Sequence, residues 1–132
     1  MATIKRFEDI ESWKLANELC SILGKYIDEG RFKRNHRLIH QVEGSSGSIM
    51  DNIAEGFERG TKGEFTLFLG YAKGSSGELR SQLYRALNRG YLNQIEFDEL
   101  YELATRISGL LQRFIEYLLK TKILGSRKNI KP

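Results

Sequence analysis

Phe97, Leu100, Ala104, Ile107, Leu111, Phe114 and Leu118 follow one another at steps of three and four residues. That spacing returns each side chain to the same helix face, so it predicts one long helix with an unbroken apolar seam. Asn93, three residues before Glu96, has the spacing of a capping box. Glu96, Asp98, Glu99 and Glu102 gather at the positive end of this helix's dipole, and Lys120 and Lys122 at its negative end. A third segment opens at Thr61, three residues before Glu64, and carries Phe65, Phe68, Ala72, Leu79, Leu83 and Ala86 until Gly90 stops it. A second shows Leu38, Val42, Ile49 and Ile53 and ends near Gly56 or Gly60. The first, roughly residues 9–28, carries Leu15, Leu19, Ile22 and Tyr26. Four helices joined by short connections predict an all-α fold, an antiparallel up-down-up-down four-helix bundle. The bundle is expected over residues 1–124, with a basic tail at 125–132.

Inside the second and third segments the same tetrapeptide, Gly-Ser-Ser-Gly, occurs at 44–47 and again at 74–77. By composition it resembles a flexible linker. Its placement says otherwise. Gly44 and Gly77, and likewise Gly47 and Gly74, lie equally far on either side of Gly60–Thr61, where the two helices must turn. Folded there, the copies lie side by side. At 100° per residue the serines fall on or beside the apolar seams, where small side chains allow close approach. The glycines point elsewhere: Gly44 and Gly47 on the back of the second helix, Gly70, Gly74 and Gly77 in a stripe on the back of the third. Each helical glycine costs about 0.8–1 kcal/mol relative to alanine. A second close-packing surface, most simply another subunit, gives a reason to accept that cost; tolerated drift is the alternative. The first helix adds a neighbouring apolar strip of Trp13, Ala16, Cys20 and Ile27. Its wide apolar arc also favours self-association, through Trp13 and Cys20.

Composition fits this picture without enlarging it. At 132 residues, 40% apolar and 29% charged, the chain is one globular domain. The one proline is the last residue, so no proline interrupts a helix. No stretch reaches the roughly 18 apolar residues of a membrane span, and the N-terminus lacks a signal-peptide core. The single cysteine excludes an internal disulfide and a cysteine-based zinc site, and a cytoplasmic protein is expected.

The net charge of +4 is local. From Lys120 onward there are five basic residues and no acid, which leaves the rest of the chain at −1. A second cluster, RFKRNHR at 31–37, supplies Arg31, Lys33, Arg34 and Arg37. Such clusters either bind phosphate backbones or keep loops and termini soluble. On the third helix, Lys73 and Arg80 share one flank and Arg85 and Arg89 the other. With Lys120 and Lys122 these are the candidate nucleic-acid contacts, unspecific in sequence because no base-reading motif accompanies them. Arg106 after Glu102 and Arg113 before Glu116 have the spacing of helix ion pairs.

Catalytic chemistry finds little support. His36 and His40 could share a helix face with Glu43, but a metal needs three or four converging ligands and His-Glu-x-x-His is absent. Cys20 has no neighbouring activating group in the sequence and reads as packing. Neither Gly-Ser-Ser-Gly copy is followed by the Lys-Ser/Thr of a phosphate loop. No enzyme, metal or cofactor is expected.

The stretch SIMDNIAEGFERGTKGEFTLFLGYAKGSSGELRSQL, 48–83, resembles the signature of the small bacterial four-helix-bundle proteins encoded in intervening sequences of 23S rRNA genes, sometimes labelled ribosomal proteins. FEDIESWKLA, 7–16, is similar to that family's opening. Asn52, Glu55, Gly56, Arg59, Glu64, Phe65, Gly74, Ser75, Glu78 and Leu79 match the signature. The resemblance implies a homopentameric ring. It also implies kinship with accessory proteins of diversity-generating retroelements, which associate with a reverse transcriptase and with nucleic acid through a positive surface. Expected partners are therefore further copies of the chain, RNA or DNA, or a nucleic-acid-processing protein such as a polymerase. One departure stands out. Where the family commonly has paired basic residues and then alanines, this chain has Glu43-Gly44-Ser45-Ser46, with less positive charge in mid-helix.

Overall fold

The computed structural model describes residues 4–121. Four helices fill them: α1 Glu11–Asp28, α2 His36–Arg59, α3 Lys62–Asn88 and α4 Gln94–Lys120. Among the described residues there is no strand, and no helix is long and apolar enough to cross a membrane. Each helix packs on its neighbours in sequence, α4 closes back on α1, and the α2–α3 interface is the most extensive. Cross-helix contacts set the directions. Going up α2, Gln41, Ser45 and Ser48 meet Arg85, Gln82 and Ser75 going down α3. Ser76 meets Ala104, and Phe65 meets Phe114, so α4 reverses again. Tyr26 near the end of α1 reaches Glu99 near the start of α4. The bundle is antiparallel throughout, as the seams predict.

The helix ends follow local chemistry. Asn35, Thr61 and Asn93 each accept a first-turn backbone N–H of α2, α3 and α4, and Asn93 completes a capping box with Glu96. Gly60 closes α2 at φ +89°, and Gly90 lies beyond α3 at φ +75°, a region L side chains rarely adopt. The start of α1 differs from the expected residue 9. Residues Phe7–Asp9 form a separate 3₁₀ turn, pinned by an Arg6–Asp9 ion pair at 3.3 Å. Ile10 is extended there, and its side chain is buried.

The core contains the seam residues with two adjustments, and adds Ile4, Ile10, Ala16, Phe32, Phe57 and Leu92 from outside the seams. In α3 the buried positions are Phe65, Leu69, Ala72, Ser76, Leu79, Gln82, Leu83 and Ala86, so Leu69 rather than Phe68 lies deepest. In α1, Leu23 is buried where Ile22 and Tyr26 are only partly covered. Phe57, Phe65 and Phe114 pack edge to face near the α2–α3 turn, with ring centroids 5.8 and 5.3 Å apart. Phe32, from the α1–α2 loop, plugs the opposite end against Tyr91.

Both Gly-Ser-Ser-Gly copies are helix. Ser45, Ser46 and Ser76 are buried, and they do more than keep side chains small. Ser45 Oγ donates to Gln82 Oε1 at 2.6 Å, Ser75 Oγ to Ser48 Oγ at 3.0 Å, and Ser76 Oγ to the Ala104 carbonyl at 2.8 Å. Three serines thus link α2 to α3 and α3 to α4, satisfying polar groups that burial would otherwise penalise.

Candidate nucleic-acid interface

The structure sorts the candidate basic residues into groups. Because α2 and α3 are antiparallel, the start of one adjoins the end of the other. A cleft of about 170 Å³ there is lined by Asn35, Leu38, Arg85, Asn88 and Arg89. Arg34 and Arg37, both exposed, flank Asn35 and Leu38 in the chain, so the two sequence clusters meet at this end. Arg85 donates to Gln41 Oε1 at 2.9 Å, which holds it along α2. The first turn of α2 contains no acid. Asn35 caps the Leu38 N–H and the His36 N–H donates to the Arg34 carbonyl, so it is the helix dipole that favours an anion at the same end. Lys33 is exposed beside them, in a left-handed backbone conformation at φ +52°.

Arg31 is differently placed. Its guanidinium binds the Glu96 carboxylate, lies 3.6 Å from Glu29 and stacks over Tyr26 at 5.1 Å. Arg31 and the Asn93 backbone N–H together hold the Glu96 carboxyl below the usual glutamate range, against the opposing effect of burial. The charge of Arg31 is thus spent on anchoring the α1–α2 loop to the start of α4.

Lys73 and Arg80 are half-buried further along α3, where Arg80 Nε donates to the Ser76 carbonyl at 3.4 Å. Lys120 is exposed at the far end of the bundle, about 40 Å away by helix rise. Near it Lys62 Nζ donates to the Thr121 carbonyl at 2.9 Å. Lys122 and the tail at 125–132 lie outside the described residues. The nine candidates among the described residues therefore form no single patch within one chain.

The opposite side of the bundle is acidic. Glu18, Asp98, Glu99 and Glu102 line a cleft of about 520 Å³ between α1 and α4, with Arg106 at one edge. The expected Arg113–Glu116 pairing is displaced: Glu116 accepts from Gln112 Nε2 at 3.0 Å. Among the described residues no group of three or more His, Cys, Asp or Glu could hold a metal. Burial pushes the Cys20 thiol up, and a hydrogen bond with Ser46 opposes it only in part. A thiol so placed is poorly nucleophilic.

The candidate oligomer residues divide as well. Trp13 packs edge to face on Phe7 at 5.3 Å, and Cys20 and Ile27 are partly covered. Ala16 is fully buried, so part of the wide arc of α1 is absorbed by its own fold. Gly44, Gly70 and Gly74 are exposed, and a Cβ built on them, or on Gly47, would meet nothing within 4 Å. Beside Gly77 it would meet only the far end of Arg80, at 3.6 Å.

Residues 8–113 match the sequence model of the 23S rRNA-intervening sequence protein. The chain belongs to that family. No curated protein matches it. The motif residues that carry the family likeness acquire physical roles, centred on the α2–α3 hairpin. Arg59 bridges Glu55 at 2.6 Å and Glu64 at 3.3 Å across the turn, and its guanidinium covers the Phe68 ring at 4.9 Å. Asn52 Nδ2 donates to both the carbonyl and the hydroxyl of Ser48 at 2.8 Å, and Ser48 in turn accepts from Ser75. Phe65 and Leu79 are core. At Gly56 an added Cβ would fall 2.6 Å from Phe68 Cβ, so only glycine lets the helices approach there. Glu78 and Gly74 alone have no such role: Glu78 is exposed, and Gly74 faces open space.

The Ser45–Gln82 bond and the Asn35–Tyr91 contact at 3.3 Å escape sequence reasoning. Gln82 falls on the α3 seam by position, and a polar residue on an apolar face is the one signal that could have marked it.

Proposed function

We propose that this 23S rRNA-intervening sequence family member is a non-enzymatic, homo-oligomeric bundle, a pentamer by family resemblance. In this reading it works in the cytoplasm as an accessory binder of RNA or ribonucleoprotein. The observation that carries the reading is the convergence of Arg34 and Arg37 with Arg85 and Arg89 at the start of α2, where the helix end itself favours phosphate. Binding there is backbone-driven, insensitive to sequence and steeply dependent on salt. Assembly is supported by the outer face of α3. Leu67 and Tyr71, 51% and 50% exposed, flank Gly70 and Gly74, where a neighbouring backbone can approach closely. A ring of copies would place several basic ends on one surface and raise avidity.

The test is fluorescence anisotropy with a structured RNA and with duplex DNA, at low and near-physiological salt. The expected result is saturable binding that weakens with salt, and its loss in an Arg34→Glu, Arg37→Glu, Arg85→Glu, Arg89→Glu variant of unchanged helicity. Absence of binding at low salt would reject this reading in favour of a scaffold for a protein partner such as a polymerase. That second reading is supported by Ile95, 81% exposed at the edge of the acidic α1–α4 cleft.

A further inference from the structure

At the end of the bundle remote from the basic cluster, the start of α1 and the last turns of α4 enclose a cleft of about 260 Å³. Its walls are apolar, built from Ile10, Leu110, Phe114 and Tyr117, and its rim carries Glu11 and Arg113. Ser12 also lines it. Ser12 is 2% exposed, and its Oγ is, among the described residues, the buried side-chain polar atom with no hydrogen-bond partner. A buried hydroxyl left unpaired is unfavourable and calls for an explanation.

Two further features at this place ask for the same kind of group. The residue before α1 is Ile10, which gives its first turn no side-chain acceptor. The N–H groups there have no side-chain cap and carry the positive end of the dipole, with Glu11 the acid in that turn. Arg113 stands at the rim while Glu116, its neighbour along α4, is taken by Gln112. A hydroxyl, helix N–H groups and a guanidinium all donate, and all three favour an acceptor bearing negative charge. The apolar walls favour a hydrocarbon body. The volume lies just below the usual range of about 300–1,000 Å³ for ligand pockets, which limits that body to a single ring or a short chain.

We propose that this cleft is a binding site for a small aromatic or aliphatic monocarboxylate. Its acid group takes the Ser12 hydroxyl, the first-turn N–H groups of α1 and Arg113. Its apolar body lies between Leu110, Phe114 and Tyr117. Glu11 at the rim disfavours a second negative charge, which is why the ligand carries one. The site is independent of the nucleic-acid reading and shares no residue with it.

Phenylacetate is a suitable probe, with acetate and phenylacetamide as controls lacking the body or the charge. Titration of the intact protein is followed by backbone amide shifts in NMR and by fluorescence of Trp13, the single tryptophan, next to Ser12. Saturable shifts confined to the start of α1 and the end of α4 are expected, with both controls weaker. Ser12→Ala should weaken binding about fivefold to tenfold, the loss of one hydrogen bond to a charged group. Leu110→Trp should fill the cleft and abolish binding. Should that variant not fold, Arg113→Gln, at an exposed position, tests the same site and should also weaken binding. Absence of saturation at millimolar phenylacetate overturns the proposal, as do shifts unmoved by both Ser12→Ala and Arg113→Gln. Equal binding of acetate, or perturbation of the same amides by protein concentration alone, overturns it too; the latter assigns the cleft to a neighbouring subunit.

Discussion

Ser45 of α2 donates a 2.6 Å hydrogen bond to Gln82 of α3 in the middle of the buried interface between the two helices. Both residues are largely buried, so the bond's value lies mainly in what its loss leaves behind. Ser45→Ala strands the Gln82 carbonyl oxygen and should destabilise the fold by about 1–3 kcal/mol. Gln82→Leu should cost less, because Ser45 Oγ retains the Val42 carbonyl at 3.4 Å. The double variant should be more stable than the sum of the two single losses predicts. Urea unfolding of the four proteins measures this, and strict additivity would mean the bond is unimportant.

Glu96 gives a second prediction, on pH. Its carboxyl is held below the usual glutamate range by Arg31 and then by the Asn93 N–H. The folded state therefore binds fewer protons at this site than the unfolded chain as acid is added. Its contribution is fully present above the ordinary glutamate value, about 4.3, and is lost as pH falls through the lower folded value. Glu96→Gln should lower the melting temperature at pH 7 and make it less sensitive to acid below about pH 4.3. A thermal-unfolding series from pH 7 to pH 3 tests both. An acid limb as steep as that of the parent protein would assign the sensitivity to other carboxylates.

Asn93→Ala removes the half of the capping box in which the side chain accepts the Glu96 N–H, and leaves the backbone N–H of residue 93 donating to Glu96. A loss of about 1 kcal/mol is expected. Thr61→Ala should behave similarly at α3, and the difference between the two in denaturant reports how far Arg31 reinforces the α4 cap.

What was legible in the chain and what was not follows from range. Thr61 with Glu64 and Asn93 with Glu96 act within one turn, so spacing alone revealed the caps. The seams of α2 and α4 are likewise local. By sequence Arg31 belongs to the basic cluster 31–37 and is a candidate phosphate contact. Its partner Glu96 is 65 residues away, and only the fold brings them together. The same holds for the basic end, whose halves come from 34–37 and 85–89. The mirrored serines were legible as close packing, but their hydrogen bonds were not, because side-chain direction depends on how the helices are rotated. Gly56 shows the reverse limit. Its motif match was evident, yet the reason for it, the approach of Phe68, is a tertiary contact.

Glycines of two kinds are now separable, and the contrast yields the last prediction. At Gly56 a methyl group would collide with Phe68 Cβ and Phe65, so Gly56→Ala should destabilise the fold by roughly 1–3 kcal/mol. At Gly74 a methyl group meets nothing in its own chain, and alanine should strengthen the isolated helix by about 1 kcal/mol. The fold within one subunit therefore gives no reason for glycine at 74. A neighbouring subunit would. At Gly74 and Gly77 an added Cβ meets at most the far end of Arg80, so replacing both with leucine should keep the fold while blocking any backbone packed against the stripe. Circular dichroism should be unchanged while light scattering shows the assembly falling to a smaller mass. An unchanged mass would reject assembly through the glycine stripe of α3.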